Sequence, residues 1–163
     1  MEKKLLIMRH GEAEWARPGE PDFDRRLSAS GRKEASEAGL WMSQNLLIPD
    51  VVLVSGAKRT RQTAKRVVSK WYNCNPDIKY LDELYRSNHQ QMLGEVNKIK
   101  NDFKIALIVA HNPTVTQFVE YLTGIPYGGM STGSCIEIRF GLDSWAWVSK
   151  GLGEPGLFFS PSK

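Results

Sequence analysis

Three short segments of the sequence combine arginine or histidine with small and polar residues. They are Arg9-His10-Gly11-Glu12, Ser55-Gly56-Ala57-Lys58-Arg59 and His111-Asn112-Pro113. Arginine is always charged and binds an oxyanion through two parallel hydrogen bonds, so a pair of arginines suits a phosphate group. A histidine beside them could donate hydrogen bonds to the phosphate or attack phosphorus as a nucleophile. The residue types therefore predict phosphate chemistry, provided that the fold brings the segments together.

Each of these segments directly follows a short apolar run that is typical of a buried strand. The runs are Leu5–Met8, Val51–Val54 and Ile105–Ala110. They are continuous rather than alternating, as in strands buried on both faces of a parallel sheet. Ligands of open α/β sheets bind beyond the carboxyl ends of the strands. We therefore expect the segments to meet at one edge of the sheet, where helix N-termini add backbone donors and positive dipoles.

Helical patterns separate these runs, and two further apolar runs follow them. We predict helices over 30–47, 60–71, 88–101 and 113–123, strands over 136–140 and 145–148 joined by a hairpin turn, and a short strand near 78–81. Asn112 suits the N-cap of the fourth helix, Pro113 its first position and Gly124 its C-terminal stop. The alternation of strand and helix favours a three-layer α/β/α sandwich with a mainly parallel central sheet.

Length and composition limit the class of protein. The chain has 163 residues, of which 41% are hydrophobic and 25% charged, with a formal net charge of +4. At roughly 100–200 residues per domain, this indicates one domain over 1–163, with an irregular tail over about 151–163. The longest apolar run has six residues, whereas a membrane span needs roughly 20. The N-terminal apolar run is too short for a signal peptide, which predicts a cytoplasmic protein. Two cysteines indicate neither a disulfide framework nor a metal site, and we expect no cofactor.

Taken together, the segments resemble the motifs of the histidine phosphatase superfamily, which has the phosphoglycerate-mutase-like fold. The matching residues are Arg9-His10-Gly11, Ser55 and Arg59 with Gln62-Thr63-Ala64, and Val109-Ala110-His111-Asn112-Pro113, in the family order. The resemblance implies that His10 is the nucleophile that becomes phosphohistidine. It also implies that Arg9 and Arg59 clamp the phosphate and that His111 holds the phosphate oxygens.

Within this superfamily the chain is most similar to the small phosphohistidine phosphatases of the SixA group. The segment Asp24-Arg25-Arg26-Leu27-Ser28 resembles the Arg-Pro-Leu-Thr segment of that group, which implies that Arg25 contacts phosphate. Arg26 stands where the group has proline, so the sequence leaves open whether Arg25 or Arg26 faces the site. Only about fifty residues separate Ser55 from Ile105. This leaves no room for a long lid, and an open site suits a phosphate displayed on a protein.

The resemblance implies a metal-independent phosphatase that works through phospho-His10 and removes phosphate from phosphohistidine on a protein. Phosphohistidine expels an imidazole, whose low basicity reduces the need for a strong general acid. Asp82 and Glu83 are the candidate acids, and the sequence does not choose between them. Two alternatives stay open, a small-molecule phosphomonoesterase of the same fold and a non-catalytic phosphate-binding protein.

A basic cluster over residues 58–70 raises a further class of function, nucleic-acid binding. It holds six cations and no acid in thirteen residues. The same segment carries an apolar stripe, so the cations are interpreted as the solvated face of a helix, and no nucleic-acid motif is visible. We expect a phosphorylated protein or a small phosphate ester as the partner, and neither nucleic acid nor a membrane.

Overall fold

The computed structural model describes residues 2–162, which contain a mixed sheet of six strands. The strands are β1 (Lys3–Arg9), β2 (Val51–Ser55), β3 (Asp77–Leu81), β4 (Ile105–Ala110), β5 (Cys135–Phe140) and β6 (Glu154–Phe159). Their spatial order is β3-β2-β4-β1-β5-β6. The first four strands pair in parallel, whereas β5 runs antiparallel to β1 and β6 antiparallel to β5. The prediction of a mainly parallel sheet is confirmed.

Helices cover both faces of this sheet. They are α1 (Ala29–Gln44), α2 (Lys58–Val68), α3 (His89–Asn97) and α4 (Thr114–Thr123). One hydrophobic core packs α1 and α2 against the sheet, and a second core packs α3 and α4 against the other face. Leu6 and Met8 of β1 enter one core while Leu5 and Ile7 enter the other. This alternation is that of a strand buried on both faces, and it confirms the three-layer α/β/α arrangement.

The apolar run at 145–148 does not form the predicted strand. Residues Trp145–Trp147 are a short 3-10 helix. The buried Trp145 indole donates to the carbonyl of Phe103 at 2.8 Å. The Asn97 side chain donates to the carbonyls of Trp145 and Val148 at 2.9 and 3.1 Å. Side-chain and loop partners thus satisfy the polar groups of this segment, and it needs no strand to pair with.

The predicted irregular tail is corrected, because Glu154–Phe159 form β6 at the edge of the sheet beside β5. The sequence does not predict this strand, because it contains Pro155 and Gly156 and both residue types are depleted in strands. They are tolerated here because an edge strand leaves part of its backbone unpaired, so the missing N–H of proline breaks no essential ladder bond.

The start of α4 also differs from the prediction. Pro113 is the N-cap and the helix begins at Thr114. The Asn112 side chain instead donates to the carbonyl of Met130 at 2.9 Å and accepts from the Thr116 hydroxyl at 2.8 Å. It therefore ties the turn after β4 to the segment before β5. Gly124 ends the helix as expected, with a φ of 71°. No helix within residues 2–162 is both long enough and apolar enough to cross a membrane.

Candidate active site

The structure brings all five residues singled out from the sequence into the lining of one cavity. Arg9 ends β1 and His10 follows it, Arg59 lies in the first turn of α2, and His111 follows β4. Arg25 joins them from the segment between β1 and α1. The cavity has a volume of about 430 Å³. Its other lining residues are Glu12, Ala13, Trp15, Asn112 and Thr132.

Two glycines let the loop after β1 pack directly against the start of α1. A Cβ atom on Gly11 would overlap the backbone of Gly31, and one on Gly31 would overlap the backbone of Glu12. The Gly11 N–H donates to the Thr63 hydroxyl of α2 at 3.1 Å. Because backbone meets backbone here, the loop has little freedom, and it fixes the direction in which the His10 ring leaves the strand.

His10 is 8% exposed, and its ring is oriented by the next residue. Its Nδ1 lies 2.6 Å from the Gly11 carbonyl oxygen. Because a carbonyl oxygen only accepts, Nδ1 carries the ring proton and Nε2 keeps a free lone pair. Burial lowers the pKa of His10 to about 3. Protonation of the neighbouring His111 and the charges of Arg59 and Arg9 lower it further, whereas the hydrogen bond to Gly11 opposes the shift. At neutral pH the ring is therefore uncharged, as a nitrogen nucleophile must be.

His111 is the second ring of the cavity. The ring centroids of His10 and His111 are 5.2 Å apart. His111 Nε2 lies 2.8 Å from the hydroxyl oxygen of Ser55, the last residue of β2. Burial, followed by the charge of Arg59, lowers the pKa of His111 to about 4, although Asp22 opposes the shift. Both rings are thus uncharged at neutral pH.

Two buried side-chain nitrogens within residues 2–162 have no hydrogen-bond partner, and both belong to this cavity. They are Nε of Arg9 and Nδ1 of His111. A buried polar group without a partner costs about 1–3 kcal/mol. Arg9 is held in place from its other side, where Nη1 donates to the carbonyl of Met130 at 3.0 Å. Two residues that line the cavity, Arg9 and His111, thus each carry a nitrogen that the protein itself leaves without a partner.

Asp22 aligns the other two arginines, and sequence reasoning missed it. Arg59 donates to the Asp22 carbonyl at 2.8 Å and to its carboxylate at 3.0 Å, and Arg25 donates to the same carboxylate at 3.1 Å. The Tyr85 hydroxyl donates to it as well, at 2.5 Å. The hydrogen bond from Tyr85, then those from Arg25 and Arg59, hold the pKa of Asp22 well below its usual range. One carboxylate thus fixes two guanidiniums at the cavity wall.

Arg25, and not Arg26, lines the cavity. Arg25 adopts an extended backbone conformation, with φ −62° and ψ 130°. Successive side chains of an extended segment point to opposite sides. The Arg25 Nε donates to the Glu14 carbonyl at 2.9 Å, whereas the Arg26 Nε pairs with the Glu14 carboxylate at 2.7 Å. This alternation explains why Arg25 faces the cavity and Arg26 does not, which the sequence had left open.

Neither candidate acid lines the cavity. Asp82 and Glu83 are exposed at the start of a 3-10 helix after β3. Asp82 packs against Gly56, and Glu83 borders a different depression beside α3. Glu12 is the only carboxylate among the described residues that line the cavity. Its Oε1 accepts from the hydroxyl of Ser28, the N-cap of α1, at 3.1 Å. Its position directly after the first motif was the signal that could have identified it.

A second carboxylate, Glu34 of α1, lies behind the cavity wall. It is buried and accepts from the backbone N–H of Glu12 at 2.7 Å and from the hydroxyl of Thr132 at 3.1 Å. Burial lowers the pKa of Arg9, and the charge of Glu34 opposes that shift. No group of three or more His, Cys, Asp or Glu side chains within residues 2–162 is arranged to hold a metal ion. Of the charged side chains that line the cavity, three are arginines and one is a carboxylate, a balance that favours an anionic ligand.

The sequence matches a known family over its first half. Residues 5–85 match the model of the histidine phosphatase superfamily, branch 1. The uncharacterized protein ML1117 of Mycobacterium leprae is 34% identical over 121 residues, which cover 72% of this chain and 71% of that protein.

Solved structures agree with this match along nearly the whole chain. A protein of Nakamurella multipartitia assigned as phosphohistidine phosphatase SixA superimposes with a TM-score of 0.87 at 28% identity, over 100% of this chain and 98% of that one. A protein of Agrobacterium tumefaciens with the same assignment gives 0.84 at 26% identity, over 98% of each chain. The chain therefore belongs to the histidine phosphatase superfamily and is similar to its SixA group.

Proposed function

We propose that the protein is a phosphatase that works through a covalent phosphate on His10. The observation that carries this proposal is the state of His10: a buried, uncharged ring with a free Nε2, in a cavity whose other charged groups are mainly arginines. A site for binding alone would need the arginines but no uncharged nitrogen nucleophile. Membership of the histidine phosphatase superfamily supports the same conclusion.

In the first step, the Nε2 lone pair of His10 forms a bond to phosphorus while the bond from phosphorus to the leaving group breaks. Negative charge is spread over the equatorial oxygens. We assign its stabilisation by hydrogen bonds to Arg9, Arg59 and His111, which line the cavity. His10 becomes a cationic phosphoimidazole, because Nδ1 keeps its proton. The Gly11 carbonyl at 2.6 Å accepts from that N–H and stabilises the new positive charge.

In the second step, water attacks phosphorus and the bond to His10 breaks. Because Nδ1 still carries a proton, His10 departs as neutral imidazole and regains its starting state. The protons of the attacking water stay with the phosphate or pass to solvent. The guanidiniums that Asp22 aligns keep their positions throughout, so one set of donors serves both steps.

The preferred substrate is phosphohistidine on a protein. A phosphohistidine protonated on its second nitrogen leaves as neutral imidazole, so it needs no strong general acid. This fits a cavity that neither Asp82 nor Glu83 lines. The likeness to structures assigned as SixA supports the same substrate class. A cavity of about 430 Å³ has room for a phosphorylated side chain but not for the protein that carries it, so the rest of a protein substrate would lie outside it.

A small phosphate ester is the second candidate, and Glu12 is the observation that favours it. An ester expels an alkoxide, which benefits from a carboxylic acid that protonates it. Glu12 lines the cavity and could serve as that acid. The two substrate classes are therefore separated by how strongly turnover depends on Glu12.

Phosphate release from a phosphohistidine-bearing protein and from glycerate and sugar phosphates tests this proposal. A chelator is present throughout, because the mechanism uses no metal ion. We expect release from phosphohistidine that persists in the chelator and disappears in His10→Ala. His89→Ala is the matched control, since His89 lies on α3 and outside the cavity lining. Faster turnover of the metabolites would overturn the substrate class, and full activity of His10→Ala would overturn the mechanism. The cytoplasmic location stays a prediction.

A further inference from the structure

A second depression lies between α1 and α2, and we call it the α1/α2 cleft. It has a volume of about 440 Å³ and is lined by Arg32, Gln62, Lys65, Arg66 and Ser69. Three of its five lining residues are cations, all exposed, and none is acidic or aromatic. Within residues 2–162, none of these cations takes part in an ion pair. The cleft thus presents concentrated positive charge that the protein itself does not neutralise.

The cleft lies close to the catalytic cavity, because residues of the segment from Arg25 to Leu27 contact both. The Gln62 side chain accepts from the Leu27 N–H at 2.8 Å, and Arg32 donates to the Leu27 carbonyl at 3.2 Å. Leu27 is two residues from Arg25, which lines the cavity, and two extended residues span about 7 Å. Gln62 also lies three residues after Arg59, on the same side of α2. The segment from Arg25 to Leu27 therefore separates the cavity from the cleft.

We propose that the α1/α2 cleft binds an acidic segment of the phosphoprotein substrate, close to the phosphohistidine that enters the cavity. This inference rests on the proposed function. The cavity accommodates one phosphorylated side chain, so a protein substrate must be recognised by neighbouring surface. Glutamate or aspartate side chains of the substrate match the unpaired cations in sign, and their attraction also speeds the encounter.

Nucleic acid is the other polyanion that such a surface could attract, and the lining argues against it. Sites for single-stranded nucleic acid combine cations with aromatic side chains on which bases stack. The cleft has no aromatic lining residue. The cations of α2 that face the cleft are Lys65 and Arg66, adjacent residues rather than a row along a groove. An acidic segment of a protein needs no stacking surface, and the cleft suits it better.

Two synthetic peptides test the proposal. Each carries one phosphohistidine, which is flanked by glutamates in one peptide and by glutamines in the other. We expect the wild type to turn over the glutamate peptide with a KM about fivefold lower, the effect of two exposed ion pairs of ordinary strength. The double variant K65Q/R66Q should lose this preference while its kcat and its turnover of the glutamine peptide stay unchanged. K100Q/K150Q removes the same charge at exposed positions outside the cleft and should keep the preference.

A binding measurement separates this proposal from the proposed function. The fluorescence anisotropy of a labelled, unphosphorylated glutamate peptide should rise with wild-type protein and not with K65Q/R66Q. This result would support peptide binding in the cleft even if neither peptide were turned over. The absence of turnover would instead refute the proposed phosphatase function. The proposal that the cleft binds an acidic segment would be overturned by equal KM values for the two peptides in the wild type. It would also be overturned if K65Q/R66Q kept the preference for the glutamate peptide. Tighter binding of a labelled single-stranded oligonucleotide, lost in K65Q/R66Q, would also overturn it.

Discussion

Lowering the pH from 8 to 5 is expected to destabilise the protein through His10 and His111. Burial lowers the pKa of His10 to about 3 and that of His111 to about 4, from an ordinary value of 6.5. At pH 5 both rings are therefore uncharged in the folded protein but protonated in the unfolded chain. The unfolded state binds more protons, so the stability that is present above pH 6.5 is lost as the pH falls towards the folded values.

The size of this loss follows from the two ordinary pKa values. A pH of 5 lies 1.5 units below the ordinary histidine pKa of 6.5, at which the rings of the unfolded chain titrate. Protonation of the unfolded chain therefore lowers the free energy of unfolding by about 2 kcal/mol per ring, or about 4 kcal/mol for both. Domains are stable by about 5–15 kcal/mol, so this is a large fraction. Asp22 adds nothing in this range, because its pKa is lowered from an ordinary value of 3.8 and its contribution is lost only at more acidic pH.

Urea unfolding at several pH values between 8 and 5 measures this dependence. The wild type should lose about 4 kcal/mol more of its free energy of unfolding than the double variant H10N/H111N, in which neither ring can be protonated. H89N serves as the control, since His89 is on α3 and outside the cavity. If the wild type and H10N/H111N lose stability in parallel, the two rings are not buried in the uncharged state and the reasoning is refuted.

Three substitutions test other parts of the site. D22N removes the charge that aligns Arg25 and Arg59, so kcat/KM measured by steady-state kinetics should fall about tenfold to a hundredfold. This corresponds to a loss of about 1.5–3 kcal/mol of charged hydrogen bonding. An unchanged kcat/KM would contradict the aligning role of Asp22. E12Q should leave turnover of phosphohistidine within about threefold but slow an alkyl phosphate by about a hundredfold, the usual contribution of a general acid; equal effects on both substrates would exclude Glu12 as the proton donor. G31A places a Cβ atom against the backbone of Glu12, so the free energy of unfolding should fall by about 1–3 kcal/mol, as is typical of overpacking. Thermal unfolding measures this change, and wild-type stability would show that the loop after β1 is free to move.

The parallel part of the fold and most of the site were predictable from the sequence. Continuous apolar runs gave β1, β2 and β4, and polar segments after them placed Arg9, His10, Arg59 and His111 at one edge of the sheet. These signals are local, since each motif directly follows or overlaps the element that positions it. The C-terminal region was less predictable, because β6 contains proline and glycine and its pairing with β5 is set by the sheet edge rather than by its own pattern.

The residues that sequence reasoning missed act through contacts between distant segments. Asp22 begins a three-residue 3-10 helix that has no sequence periodicity, and its partners Arg59 and Tyr85 are 37 and 63 residues away. Glu34 looks like a surface carboxylate of α1 until the fold buries it against Thr132. No spacing rule within a single segment reports such contacts. Glu12 is different, because it directly follows the motif Arg9-His10-Gly11 in the sequence. It was overlooked only because the acid was expected at Asp82 or Glu83.

The covalent phosphate on His10 is the central claim, and a rapid-quench experiment tests it most directly. Radiolabelled phosphoramidate, a minimal substrate with a phosphorus–nitrogen bond, is mixed with the protein and stopped in alkaline denaturant, in which phosphohistidine is stable. We expect label on a peptide that contains His10, formed before phosphate is released and removed by an unlabelled chase. H89A should be labelled in the same way and H10A should not. Phosphate release without any labelled protein, or labelling that persists in H10A, would contradict the account.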